Sequence, residues 1–327
     1  MVFSPSLRET GVMDDRIIRF EGRGAQVQYR VLMALYSIVF NRWLYGIFCR
    51  ALARFFDPDN KVVLDLGDGR AFRIYLNDGY WTRFYLYHRD YEPEVRAVLD
   101  AARGHTGLFC DLGANSGLWS VYASALFDQV LSIEAAGKTF GRLSENMADL
   151  PGVEARRAAI FERSGETLRF VNVHQSHASA HLALDRGAGT HDTVEEVETV
   201  CIDDLVGEGI AALIKLDVEG AEIAAINGAN RVIEEGGVFI YEDHGSDLNS
   251  EVTRHFMALD GMAVFAIEEA PKKVSNTGDL VHIKTDRYKG YNFLAGREDS
   301  ALMAAIIDGF ANRDAGAKPD TAETGET

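Results

Sequence analysis

The sequence predicts an α/β protein built on a doubly wound, mostly parallel sheet, and two observations carry that expectation. From about Tyr91 onward, short apolar runs alternate with stretches of helical periodicity: "GLFCDLG", "LWSVYASALF", "VLSIEAA", "TFGRLSENMADL", and later "AALIKLDVEG", "AEIAAINGANRVIEEGG" and "VFIYEDHG". Strand and helix alternating in this way build a parallel sheet with helices on both faces. The second observation is "DLGANSG", residues 111–117, which ends the first of these strands and leads straight into a helix. Sheets of this kind hold their ligands outside the carboxyl ends of the strands, at the switch point of the strand order.

Taken from the start, the chain of 327 residues is 47% hydrophobic and 25% charged, ordinary values for a globular protein. Its net charge of −17 argues against binding a nucleic-acid backbone, which needs a basic footprint. Cys49, Cys110 and Cys201 are few, odd in number and far apart, as expected of reduced thiols in a cytoplasmic protein. The opening "MVFSPSLRETGVMDDR" lacks the basic-then-apolar order of a signal peptide.

Residues 31–56, "VLMALYSIVFNRWLYGIFCRALARFF", are apolar but interrupted by Asn41, Arg42, Arg50 and Arg54. That is too broken for the roughly 18 uninterrupted apolar residues of a membrane span. At about 100° per residue the three arginines share roughly a third of the helix circumference. The segment therefore reads as an amphipathic helix lying on a surface, either the main domain or the inner face of a membrane. Residues 1–57 form an N-terminal extension in this reading.

Residues 58–90 come next. "KVVLDLGDGRAFRIYL" and "YWTRFYLYH" alternate apolar and polar residues around Gly67-Asp68-Gly69 and Asn77-Asp78-Gly79. Period-two alternation with Asp-Gly turns predicts a small antiparallel meander. "DLGDG" is then a hairpin turn, since a strand follows it and no helix N-terminus is on offer.

The alternating region spans residues 91–296. After "GLFCDLG", residues Leu118, Val121, Tyr122 and Ala125 share one helix face. "VEARRAAIF" and "ETLRFVNV" read as strands, "HQSHASAHLALDRGAGTH" as a looser region, and "MAVFAIE" and "YNFLAG" as closing strands. A last helix over residues 297–312 carries Met303, Ile306, Ile307 and Phe310 at helical spacing. Residues 313–327 hold no large apolar side chain, and disorder is expected there.

The glycines of "DLGANSG" let the backbone turn tightly and approach a ligand, beside the free N–H groups of a helix start. Glu134 ends the next strand, 23 residues after Asp111, where an acid accepts hydrogen bonds from both hydroxyls of a ribose. A dinucleotide fingerprint would be G-x-G-x-x-G, but Asn115 stands where its second glycine belongs, and no phosphate-binding G-x-x-x-x-G-K-[ST] is present. A nucleoside cofactor without phosphates fits better, and S-adenosylmethionine is the candidate. Asp111 would hold its methionine ammonium directly or through water.

"YEPEV", "FCDLGANSGLWSVYA", "SIEA", "LSENM", "VCIDDL", "IKLDVEGAE" and "YEDHG" occur in the order seen in the FkbM-type methyltransferases. The chain resembles that family over residues 91–296, most specifically in "IKLDVEGAE". The resemblance implies a class I Rossmann-like methyltransferase fold, dependence on S-adenosylmethionine, and transfer of the methyl group to a hydroxyl. It implies that Asp111, Gly113, Ala114, Asn115, Gly117, Glu134 and Asn146 line the cofactor. The chain departs from the family at Ala135-Ala136, where a proline is usual, and in its His-rich stretch.

A hydroxyl acceptor must lose a proton, and a neutral His or a carboxylate can take it. Asp217, Glu219, Glu242 and His244 lie at the ligand edge of their strands and are the candidates. Glu222 reads as an acid favoured by a helix N-terminus. Asp217, Glu242 and His244 are also the residue types of an Mg2+ site. His174, His177, His181 and His191 lie among Ser, Ala and Gly, so a lid over the substrate is preferred to a zinc cluster. "VCIDDL", with Asp203 and Asp204, reads as ending a strand and capping the next helix. The expected acceptor is a hydroxyl on a small molecule, a sugar or a lipid-linked glycan. The rival readings are a non-catalytic scaffold with this fold and, disfavoured by Asn115, a nicotinamide-dependent oxidoreductase.

Overall fold

The computed structural model describes residues 16–38, 42–87, 91–172, 181–182, 193–218 and 220–316. Strand β1 (Ile17–Glu21) is followed by helices α1 (Ala25–Ile38) and α2 (Arg42–Ala53), then β2 (Lys61–Asp65) and β3 (Ala71–Tyr75). The three strands form an antiparallel sheet in the order β1-β2-β3. Gly67, Asp68 and Gly69 turn between β2 and β3 with φ of 95°, 55° and 76°, so "DLGDG" is a hairpin turn.

The single helix expected over residues 31–56 is two helices instead. Tyr29 and Leu32 of α1 and Tyr45 and Cys49 of α2 are buried in the same apolar cluster as the main sheet. The pair is packed on the protein body. Asn41 lies outside the described residues, as do the side chains of Arg42 and Arg50; Arg54 is exposed. Among the described residues no helix is long and apolar enough to cross a membrane.

The second half of the expected meander is helical. Helix α3 (Gly79–Trp81) runs into one π-helical stretch, Thr82–Tyr87. Asp78 explains the difference: its carboxylate accepts from the backbone N–H of Tyr80 (2.9 Å) and Trp81 (3.2 Å), the geometry of an N-cap. Alternation in "YWTRFYLYH" therefore reports an aromatic face laid against Phe72.

Helix α4 (Pro93–Ala102) leads into the large sheet through β4 (Leu108–Leu112), α5 (Leu118–Ala123), β5 (Gln129–Glu134), α6 (Gly137–Met147) and β6 (Val153–Arg157). A smaller sheet intervenes, with β7 (Ala159–Ile160), β8 (Thr167–Asn172), β9 (His181–Leu182) and β10 (Thr193–Val200) in the order β7-β10-β8-β9. "VEARRAAIF" is thus divided between two sheets. His174, His177 and His191 lie outside the described residues, as do residues 317–327.

After α7 (Ile202–Leu205) the chain returns to the large sheet with β11 (Leu213–Leu216), α8 (Glu222–Asn227), α9 (Asn230–Glu234) and β12 (Val238–His244). The helix expected through "AEIAAINGANRVIEEGG" breaks at Gly228. A Cβ there would stand 2.7 Å from the Phe161 carbonyl oxygen, so backbone packs on backbone. Helix α10 (Glu251–Ala258), β13 (Met262–Ile267), β14 (Pro271–Lys273), α11 (Asp279–Ile283), β15 (Gly290–Arg297) and α12 (Ala301–Gly316) complete the chain.

The large sheet has the order β14-β13-β15-β12-β11-β4-β5-β6. Strands β12, β11, β4, β5 and β6 are mutually parallel, and β15 enters antiparallel between β12 and β13. The chain winds outward from β4 to β6, then starts again at β11 on the other side of β4. That reversal puts the switch point at the ends of β4 and β11. One face carries Phe109, Val130, Leu213 and Leu294 under α4, α5, α6 and α12; the other carries Cys110, Ile214, Phe239 and Phe293 under α8, α9 and α10. Each such large side chain, fully buried, contributes roughly 1.5–3 kcal/mol.

Candidate active site

The loop after β4 is held from three sides. Gly113 (φ 81°) lies so close to β11 that a Cβ would stand 1.8 Å from the Asp217 carbonyl oxygen. The N–H groups of Gly113 and Ala114 both donate to the Ile133 carbonyl at 2.9 Å. Asn115 takes a left-handed φ of 52°, rare for a residue with a Cβ. Its N–H donates to Glu134 Oε2 (3.0 Å), and its side-chain oxygen accepts from Trp81 Nε1 (3.1 Å). Gly117 (φ 87°) lets α5 start against Leu143 and Met147, each 2.7 Å from where its Cβ would be.

Glu134 ends β5 with its second oxygen accepting from the Ala136 N–H at 2.9 Å. Burial pushes its carboxyl up to about 7, even though these backbone donors favour the charge. Each oxygen keeps a lone pair for a further donor. Asp111, 1% exposed, accepts from Ser120 Oγ at 2.6 Å, and its other oxygen is buried without a hydrogen-bond partner. A buried carboxylate oxygen left over at the base of the loop fits a cationic group reaching it directly or through water. Asn146 stands beneath the loop. It is buried, donates to the Ser116 carbonyl (2.8 Å) and accepts from the Arg73 N–H (2.9 Å), tying the loop to β3.

On the other side of the switch point, strand register sets a charged row. Lys215 lies beside Asp111 across β11 and β4, and beside Ile240 across β11 and β12. Two residues on, by the alternation of a strand, Asp217 and Glu242 project from the same face. Lys215 Nζ bonds Asp217 at 2.8 Å with its side chain only 8% exposed. Burial alone would lower the Lys215 pKa, but Asp217, Glu92 and Asp111 hold the ammonium above the ordinary lysine value.

Glu92, just before α4, has φ 44° and ψ 60°, and accepts from Trp119 Nε1 at 2.9 Å. Burial pushes it up to about 7, with Lys215 opposing and Asp217 assisting. Glu242 is pushed up to about 8 by burial and by its neighbours Asp217 and Glu92. Its carboxylate lies across Gly290, where a Cβ would come within 2.0 Å of Oε1. Asn292, paired with Glu242 in register, donates to Glu94 at 3.1 Å. Tyr80 and Tyr91 meet through their hydroxyls at 2.5 Å, both held above the ordinary tyrosine value by burial and by Glu92.

Of the four acid–base candidates, Asp217 and Glu242 therefore stand at the site. His244 is exposed at the end of β12 and closes a turn, with Nδ1 hydrogen-bonded to Ser246 Oγ (2.6 Å) and its N–H (3.1 Å). Glu219 lies outside the described residues. Glu222, buried enough for its pKa to rise, bonds the Gly220 N–H at 3.0 Å at the start of α8. Among the described residues, no three His, Cys, Asp or Glu side chains are placed to hold a metal ion. Asp203 caps α9, accepting from the N–H of Arg231 and Val232 at 3.0 Å each.

Sequence reasoning missed Glu92 and Lys215. Both lay inside motifs already visible, "YEPEV" and "IKLDVEG", and a lysine within an apolar strand was the available signal. The shallow groove lined by Ala211, Glu234, Arg297 and Ser300 is at the opposite, amino ends of the strands.

A sheet that reverses between β4 and β11, takes in one antiparallel strand beside β12, and carries a glycine loop and a strand-end acid at the switch point defines the class I methyltransferase fold. Residues 111–263 match the methyltransferase FkbM domain. It is 27% identical over 211 residues to the hexuronic acid methyltransferase AglP of Haloferax volcanii, covering 59% of this chain and 83% of that one. It aligns with the crystal structure of methyltransferase FkbM from Methylobacillus flagellatus at 17% identity and a TM-score of 0.38. That alignment covers 58% of this chain and spans less than half, 43%, of the other. An O-methyltransferase from Bacillus cereus in complex with SAH aligns at 11% identity and a TM-score of 0.37, over 84% of this chain and 100% of that one.

Proposed function

We propose that this chain is an S-adenosylmethionine-dependent methyltransferase that methylates a hydroxyl of a sugar-like acceptor. The observation that carries the cofactor is Glu134, whose carboxylate holds the Asn115 and Ala136 N–H groups at the switch point. The acceptor class draws support from the 27% identity to a hexuronic acid methyltransferase.

In this reading Glu134 accepts the ribose hydroxyls, and the loop of Gly113, Ala114, Asn115 and Gly117 lies along the nucleoside. Asp111 offers its unpartnered oxygen to the methionine ammonium. When bound, the cofactor supplies an electrophilic methyl on a sulfonium. In-line displacement by an oxygen then needs alignment and removal of one proton. Lys215 fixes Asp217 where it can orient the acceptor hydroxyl, and Glu242 in its ionised form takes the proton.

Calorimetric titration with S-adenosylhomocysteine tests this. Wild-type protein should bind, and Glu134→Ala and Asp111→Ala should each weaken binding by about tenfold or more, the loss expected for hydrogen bonds to a charged group. Failure of folded wild-type protein to bind would overturn the reading.

A further inference from the structure

We propose that the acceptor is a neutral polyhydroxyl sugar and that the site discriminates against uronic acids, the class named for the relative AglP. The inference rests on the methyltransferase reading above and concerns the acceptor side of the same site.

Its ground is the balance of charge around the ends of β11 and β12. Asp217 acts there on Glu92, Glu222 and Glu242, and among the described residues the cation acting on Glu92, Asp217 and Glu242 is Lys215. Lys215 is already engaged, with its ammonium 2.8 Å from Asp217 and its side chain 8% exposed. A carboxylate brought to this place would meet like charges, with the one counter-ion found there among the described residues committed to a neighbour. Each such approach in a partly desolvated site is repulsive.

A neutral sugar meets the opposite situation. Its hydroxyls both donate and accept, and carboxyls that titrate near neutrality offer both lone pairs and a proton to share. Behind these carboxyls Tyr80, Trp81, Tyr91 and Trp119 form a contiguous set with centroids 5.5–6.4 Å apart, Trp81 and Trp119 being buried. Tyr91 and Trp119 are stacked at 25°. Trp119 also donates to Glu92, so the buried ring system positions a carboxylate. Acceptors held in place in this way suit the rim of hydroxyls on a pyranose.

The test measures binding rather than turnover, on protein saturated with S-adenosylhomocysteine. Calorimetry or ligand-observed NMR compares p-nitrophenyl hexosides with the matching hexuronides in the gluco, galacto and manno series. The neutral member of at least one pair should bind about tenfold tighter at pH 8.5. The gap should shrink at pH 6, where Glu92 and Glu242 take up protons while the uronic carboxylate stays ionised. It should also shrink in Glu92→Gln and Glu242→Gln, with retained S-adenosylhomocysteine affinity showing that each variant is folded. Equal or tighter binding of the hexuronides overturns the proposal, as does a gap indifferent to pH and to both variants, or no binding of either member of any pair. Absence of S-adenosylhomocysteine binding in the first titration would instead remove the methyltransferase reading beneath it.

Discussion

Glu92, Glu134 and Glu242 are three carboxyls held up at about 7, 7 and 8, each acted on by Asp217. In each case burial is the largest cause, and in the unfolded chain all three revert to the ordinary glutamate value of 4.5. The folded protein therefore keeps protons that the unfolded chain has already released. By linkage, their contribution to stability is fully present below pH 4.5 and is lost as pH rises through 7 to 8. The ligand-free protein should melt at a lower temperature at pH 8.5 than at pH 6, and Glu242→Gln should flatten that difference. Differential scanning calorimetry at the two pH values decides it, and a Tm that is level or rises with pH would refute the assignment. Lys215 is what makes the cluster tolerable at all, since removing the cation of a buried pair leaves charges without compensation. Little of this was legible in the sequence. The acids at the strand ends could be named from the strand–helix alternation, but Glu92 and Lys215 are 123 positions apart and only the packing of α4 over the sheet brings them together.

At the scale of elements, α3 is the part that sequence pattern misassigned and that the site uses most directly. Aromatic alternation after Asp78 looks like a strand because period two is a local signal. The capping bonds of Asp78 and the burial of Trp81 against Phe72 override it. The outcome is an indole N–H aimed at Asn115, the residue of left-handed φ in the loop after β4. Trp81→Phe keeps the ring packing and deletes that one bond, which should weaken S-adenosylhomocysteine binding about five- to tenfold, or roughly 1 kcal/mol. Calorimetry and a melting curve separate this from general damage: the expected result is lost affinity with a Tm close to wild type. The strand β10 was legible only at its end, in "VCIDDL", for the opposite reason. "TVEEVETV" alternates correctly, but its partner β8 is 20 or more residues away in sequence, and alternation alone does not name a partner. The break between α8 and α9 at Gly228 depends on a backbone contact with Phe161 that no helical pattern contains.

For the whole molecule, the boundary suggested by the change of pattern near Tyr91 is not a boundary in the core. Tyr29, Leu32, Tyr45 and Cys49 from the first two helices join Phe109, Val121 and Leu294 in one cluster. At roughly 1.5–3 kcal/mol for each large side chain, removing them would consume much of the ~5–15 kcal/mol by which a domain is stable. A chain beginning at residue 58 should therefore lose cooperative unfolding and aggregate, and a sharp thermal transition in that truncated chain would show the extension to be dispensable. The doubly wound sheet, its switch point and the glycine loop were all readable, because alternation and turn chemistry are written locally. What β1 pairs with, and what the first two helices cover, were not.

The contact of Gly113 with the Asp217 carbonyl leaves no slack between the loop and the β11 turn. In the proposed reading, a nucleoside that settles the loop also settles the backbone that carries the Asp217 carboxylate. Thermodynamic reciprocity does the rest: whatever factor the first ligand adds to the affinity of the second, the second returns to the first.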